Sequence, residues 1–68
     1  MTTFLLSVED KRTRYGTGVR KFTLPSDVIA YMENHKVYQV GVFRDGYGFS
    51  MTPAKFRSIY SWREVMQN

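Results

Sequence analysis

Val37-Tyr38-Gln39-Val40-Gly41-Val42-Phe43-Arg44-Asp45-Gly46-Tyr47-Gly48-Phe49-Ser50-Met51-Thr52-Pro53 carries the local instructions that decide the fold. β-Branched and aromatic residues run into Asp45-Gly46 and resume beyond it. Asp-Gly between two such runs signals a two-residue hairpin turn, because that turn needs left-handed backbone at both central positions. The turn fixes the register, placing Arg44 opposite Tyr47, Phe43 opposite Gly48, Val42 opposite Phe49, Gly41 opposite Ser50 and Val40 opposite Met51. Successive side chains on a strand point to opposite faces. Val40, Val42, Phe49 and Met51 therefore form a predicted core face, and Gln39, Gly41, Phe43, Gly48 and Ser50 the opposite one. That second face is polar and glycine-rich, and its one aromatic, Phe43, is predicted to be exposed. Thr52-Pro53 then closes the hairpin and opens a helix, with Thr52 as the cap, proline at the first helical position, and Met51 and Phe56 spaced as a hydrophobic staple. Phe56, Ile59, Tyr60 and Met66 share one arc of that helix, which Trp62 borders and Arg63 enters as a residue that snorkels at the rim.

Upstream, Phe4, Leu6 and Val8 alternate with Leu5, Ser7 and Glu9, predicting a first strand over Thr2 to Glu9 with one buried face. A second alternating run from Val19 to Leu24 puts Phe22 and Leu24 on one face, so the intervening residues connect two antiparallel strands. Either Asp10-Lys11 turns tightly with bulges at Gly16 and Gly18, or residues 11–17 form a broad loop. Pro25 ends the second strand, and Ser26 is placed to cap a helix beginning at Asp27 and running over about 26–35. Val28, Met32 and His35 line its apolar stripe, with Ile29 and Tyr31 at the margins. The element order ββαββα predicts an α+β fold: a small single domain, an antiparallel sheet with two helices packed on one face. A shift of 27 residues aligns Phe22 with Phe49, Leu24 with Met51, Ile29 with Phe56 and Met32 with Ile59, a hint of a repeated ββα unit.

The 68 residues, 43% hydrophobic and 24% charged, suit one globular domain over 1–68 and exclude a disordered or fibrous chain. The absence of cysteine excludes a disulfide framework and any thiolate metal site, and it points to a reducing, cytoplasmic setting. No apolar run approaches the ~20 residues that cross a bilayer, and the start of the chain reads as a strand and not as a secretory signal.

Half of the ten basic residues fall in KRTRYGTGVRK: Lys11, Arg12, Arg14, Arg20 and Lys21, with no acidic residue among residues 11–21. The cluster sits at a hairpin tip with Tyr15 between its charges. Arginine forks engage phosphates bidentately, an exposed tyrosine stacks on an unpaired base, and a two-stranded ribbon fits a DNA groove. Lys11, Arg12, Arg14, Tyr15, Arg20 and Lys21 are accordingly the candidate contacts for nucleic acid or for an acidic protein surface. Lysine and arginine at a hairpin tip also serve plain solvation and guard edge strands. Phe43 is a candidate protein interface, including that of a homodimer. The single histidine, His35, has no second histidine or cysteine with which to hold a metal, and no Ser/His/Asp set can be assembled around it. Gly16-Thr17-Gly18 lacks the third glycine or the GK[ST] of a phosphate loop and reads as turn chemistry. The expectation is a non-enzymatic nucleic-acid-binding module without cofactor or metal. The alternative is a protein-binding regulator or inhibitor of the kind that viral and mobile-element accessory proteins provide.

Overall fold

The computed structural model describes residues 2–60. The chain forms β1 (Thr2–Glu9), β2 (Thr17–Phe22), α1 (Pro25–Asn34), β3 (Val37–Arg44), β4 (Tyr47–Met51) and α2 (Pro53–Ile59). The strands make one four-stranded sheet in the order β2-β1-β3-β4, antiparallel throughout. Each hairpin thus puts its first strand in the middle and its second at an edge. α1 lies over β1 and β2, and α2 over β3, and among the described residues no helix lies on the other face of the sheet. The fold is the predicted α+β arrangement in ββαββα order.

All five predicted pairs of the β3–β4 hairpin are present, from Arg44 with Tyr47 to Val40 with Met51. Asp45 and Gly46 take φ of 52° and 78°, the left-handed backbone that a two-residue turn demands. Joined through β1, the registers produce rows that cross the sheet. Phe22, Phe4, Val42 and Phe49 form one row on the helix side, and Arg20, Leu6, Val40 and Met51 the next. Phe4, Leu6, Val8, Val28, Ile29, Val40, Val42, Met51 and Phe56 are the buried core. Phe4 meets Phe56 edge-on at 5.5 Å between ring centroids, and Phe56 stacks on Tyr60 at 4.6 Å. Each such side chain stabilises the fold by about 1.5 to 3 kcal/mol when fully buried. Thr52 caps α2 as expected, its Oγ1 accepting from the Lys55 amide at 3.2 Å.

Several sequence expectations change. β2 begins at Thr17 and ends at Phe22, so Leu24 lies beyond the sheet and is exposed. Leu24, not Ser26, is the N-cap of α1: Pro25 takes the first helical turn, where its fixed φ fits and its missing N–H costs nothing. The helix ends at Asn34, and His35 is an exposed C-cap stacked on the Tyr31 ring at 4.1 Å instead of a member of the apolar stripe. Phe49 faces the helix side as predicted but is 47% exposed, because it stands on an edge strand while α2 covers β3. Ile59, at the end of α2, is likewise exposed. Trp62, Arg63 and Met66 lie outside the described residues.

The hinted repeat has a partial counterpart in the architecture, which sets two ββα units side by side. Phe22 and Phe49 close the two ends of one row, and Ile29 and Phe56 are the buried anchors of the two helices. Leu24 and Met51 do not match, one exposed and the other buried.

Candidate functional site

The β1–β2 connection is the broad-loop alternative, residues 10–16, and it is built around one carboxylate. Asp10 Oδ1 accepts from the Arg12 backbone amide at 3.0 Å and from Arg12 Nε at 3.2 Å, while Oδ2 accepts from Arg20 Nη2 at 3.1 Å. A backbone bond from the Asp10 amide to the Gly16 carbonyl, 2.9 Å, closes the loop. Thr13 Oγ1 lies 3.0 Å from the Asp10 carbonyl oxygen and 2.7 Å from that of Thr17, tying the crest to both sides. Gly16 supplies the positive φ, 73°, that returns the chain to β2. Gly18 leaves room for the carboxylate: a Cβ there would stand 3.2 Å from Asp10 Oδ2. These bonds hold the Asp10 pKa at about 2, chiefly through the Arg12 amide, then the Arg12 and Arg20 side chains. The reciprocal bond raises that of Arg20.

The loop divides the predicted contacts into three groups. Lys11, Arg12, Arg14 and Tyr15 project from its crest, with Tyr15 84% exposed. Arg12 is tied to Asp10 through Nε and its own amide, yet its side chain remains open to solvent. Arg20 pairs with Leu6 and therefore points to the helix side, where Asp10 holds it and its side chain is two-thirds covered. Lys21, one residue on, pairs with Leu5 and points to the opposite face. Lys11, Arg14 and Lys21 form no ion pair with any described residue. The six candidates thus do not form one surface, since Arg20 is a structural residue of the loop.

The uncovered face carries Leu5 and Ser7 from β1, Val19 and Lys21 from β2, Gln39, Gly41 and Phe43 from β3, and Gly48 and Ser50 from β4. Gln39 donates to Ser50 Oγ across the β3–β4 pair at 2.9 Å. Phe43 is exposed as predicted, and it lies down on the sheet. A Cβ on Gly48 would stand 2.5 Å from Phe43 Cδ1 and 2.6 Å from Cε1, and one on Gly41 would stand 3.0 Å from Cε2. The two glycines meet opposite edges of the ring, which packs closely over both and remains partly exposed.

Two features escaped the sequence reading. Asp10 stands one residue outside the acid-free window of residues 11–21, although its position two residues before Arg12 is the signature of an Asx turn. The other is an open groove of about 400 Å³ lined by Val42, Arg44, Asp45, Tyr47, Phe49 and Tyr60 at the β4 edge, which follows from sheet order and helix placement. Among the described residues no group of three acidic, histidine or cysteine side chains could hold a metal ion, and no helix is long and apolar enough to cross a membrane. Comparison with protein-family models, with curated proteins and with solved structures gives no match.

Proposed function

We propose that this chain is a small non-enzymatic nucleic-acid-binding module that engages phosphates through the β1–β2 loop. The observation that supports the reading is the anchored loop itself: Asp10 fixes its shape, while Lys11, Arg14 and the exposed side of Arg12 face outward beside Tyr15. A loop already held in place loses little conformational freedom on binding, so its cations act with less entropic cost than those of a floppy tail. Lys21 adds a charge on the uncovered face, and Arg20 acts indirectly by holding Asp10. A cytoplasmic site of action fits the cysteine-free composition.

Three or four engaged cations give a salt slope of about −2 to −3 on a single strand, so affinity falls roughly 20- to 50-fold between 50 and 200 mM salt. Fluorescence anisotropy with labelled oligonucleotides measures this. Replacing Lys11, Arg14 and Lys21 together by glutamine should flatten the slope and abolish most of the binding at low salt. Unchanged affinity in that triple variant would refute the reading, as would the absence of binding to any probe at low salt. In the latter case the loop would be left to an acidic protein surface.

A further inference from the structure

We infer that the ligand is single-stranded nucleic acid and that the uncovered sheet face is its stacking platform, with Phe43 receiving an unpaired base. This deepens the nucleic-acid reading above and rests on it. The geometry that carries it is the low position of the ring: its atoms come within 2.5 Å and 3.0 Å of where a Cβ would stand on Gly48 and Gly41, so Phe43 lies across both glycines with 44% of the residue exposed. Glycine inside strands is unfavourable relative to alanine, yet both positions under the ring are glycine, and any larger residue at Gly48 would lift it.

The charge distribution agrees. Strand alternation sends Arg20 to the helix side, where Asp10 neutralises it, and Lys21 to the platform side, where no described residue pairs with it. Phe43 and Val19 lie four residues apart along the strands, in the rows of Thr3 and Ser7, and two strands apart across the sheet. That diagonal is about 16 Å, room for a few of the roughly 4 to 16 nucleotides that single-strand grooves hold. Lys21 stands beside the diagonal, and the loop with Lys11, Arg14 and Tyr15 continues it. Glu9, at the loop end, is the one acid on this face among the described residues. A duplex keeps its base planes stacked inside, so a ring lying flush with a sheet cannot reach them; only an unpaired base presents its π face. A second copy of the chain is a poorer occupant. Among the described residues Phe43 and Val19 are the exposed large apolar side chains that the strand registers put on this face, whereas stable dimers bury about 800 Å² per partner around an apolar centre.

The test compares a labelled oligothymidylate of about ten nucleotides with a mixed-sequence duplex of the same length at low salt, using wild type, Phe43→Leu, Phe43→Trp and Gly48→Ala. The expected result is preference for the single strand, roughly 5- to 100-fold weaker binding in Phe43→Leu, the range that loss of one stacking ring produces, and retention in Phe43→Trp. Gly48→Ala should weaken binding with Phe43 still present, which separates ring posture from mere apolarity. Wild-type binding that is indifferent to Phe43→Leu and Gly48→Ala, or as tight on duplex, overturns the platform and leaves the loop reading standing. No binding by wild type to either probe overturns the loop reading and this inference with it. Concentration-dependent dimers abolished by Phe43→Leu in sedimentation would assign the face to a second copy and overturn the inference.

Discussion

Gly48→Ala should change the sign of its effect on stability according to whether the Phe43 ring is present. Gly48 is not among the positive-φ residues, so alanine fits its backbone, and at an open strand position the exchange gains about 0.5 to 1 kcal/mol from reduced unfolded-state freedom. Here the new Cβ would stand 2.5 Å from Phe43 Cδ1, a separation that forces the ring away. A phenylalanine fully buried contributes about 1.5 to 3 kcal/mol, and Phe43, 44% exposed, keeps roughly half of that by lying on the two glycines. Losing about 1 to 1.5 kcal/mol of ring contact against the backbone gain leaves Gly48→Ala destabilising by roughly 0.5 kcal/mol in the wild-type chain. In a Phe43→Ala background the colliding atoms are gone and the same substitution should stabilise by about 0.5 to 1 kcal/mol. The coupling, about 1 to 1.5 kcal/mol, is measurable in a double-mutant cycle followed by urea denaturation and circular dichroism, where a small domain loses about 1 kcal/mol per molar urea. Gly41→Ala should show a smaller coupling, since its nearest ring atom is 3.0 Å away. If the two substitutions add to within about 0.3 kcal/mol, the ring does not rest on Gly48 and the platform geometry is wrong.

Asp10 should titrate near 2 in carboxyl chemical shifts, and because its folded pKa lies below the ordinary 3.8, its contribution to stability is complete above that value and is lost as pH falls toward 2. Asp10→Asn should therefore flatten the acid limb of stability between about pH 5 and pH 2; an unchanged limb would show that the carboxylate is not held by Arg12 and Arg20. Thr52→Ala removes the cap on Lys55 and should cost about 1 kcal/mol in urea denaturation, while Thr52→Ser, which keeps the hydroxyl, should cost much less. Gly46→Ala puts a Cβ on backbone at φ 78° and should destabilise by about 1 to 2 kcal/mol; a neutral result would contradict the two-residue turn.

The parts of the fold legible in the sequence are those fixed by neighbours in the chain. Asp45-Gly46 and Thr52-Pro53 each determine backbone geometry within a few residues, so the β3–β4 register and the start of α2 follow from them. Phe49 shows where such reasoning stops. Alternation assigns its face correctly, but its exposure depends on β4 being an edge strand and on α2 lying over β3, and neither is written locally. Leu24 and Ser26 fail for a different reason: a proline at the first helical position starts α1 without a side-chain cap, so the polar residue after it was given a role the helix does not need. At the site, the exposure of Tyr15 and Phe43 was legible, because the first lies on a hairpin loop and the second on the polar side of an alternating strand. The division of the basic cluster was not, since its organiser, Asp10, is the residue just before the window that defined it.

Arg20 and Lys21 are adjacent and chemically alike, and the pleat of β2 separates them into different tasks. Arg20 turns toward the helices beside Leu6, where an unpaired cation two-thirds withdrawn from water would be costly, and Asp10 meets that need. The other oxygen of the same carboxylate accepts from the Arg12 amide, so the group that neutralises Arg20 also sets the turn that displays Lys11, Arg14 and Tyr15. Lys21 turns the other way, onto the face where Phe43 lies across the two glycines. Within residues 11–21 the arrangement therefore compensates the one positive charge on the helix side and leaves the others along the loop and the open face. Counting charges over residues 11–21 overstates the patch and misplaces its centre. On the reading proposed above, a ligand that follows the cations along the loop and Lys21 crosses this face to reach Phe43, and that path is the reason the proposal takes a flexible strand with unpaired bases over a rigid duplex.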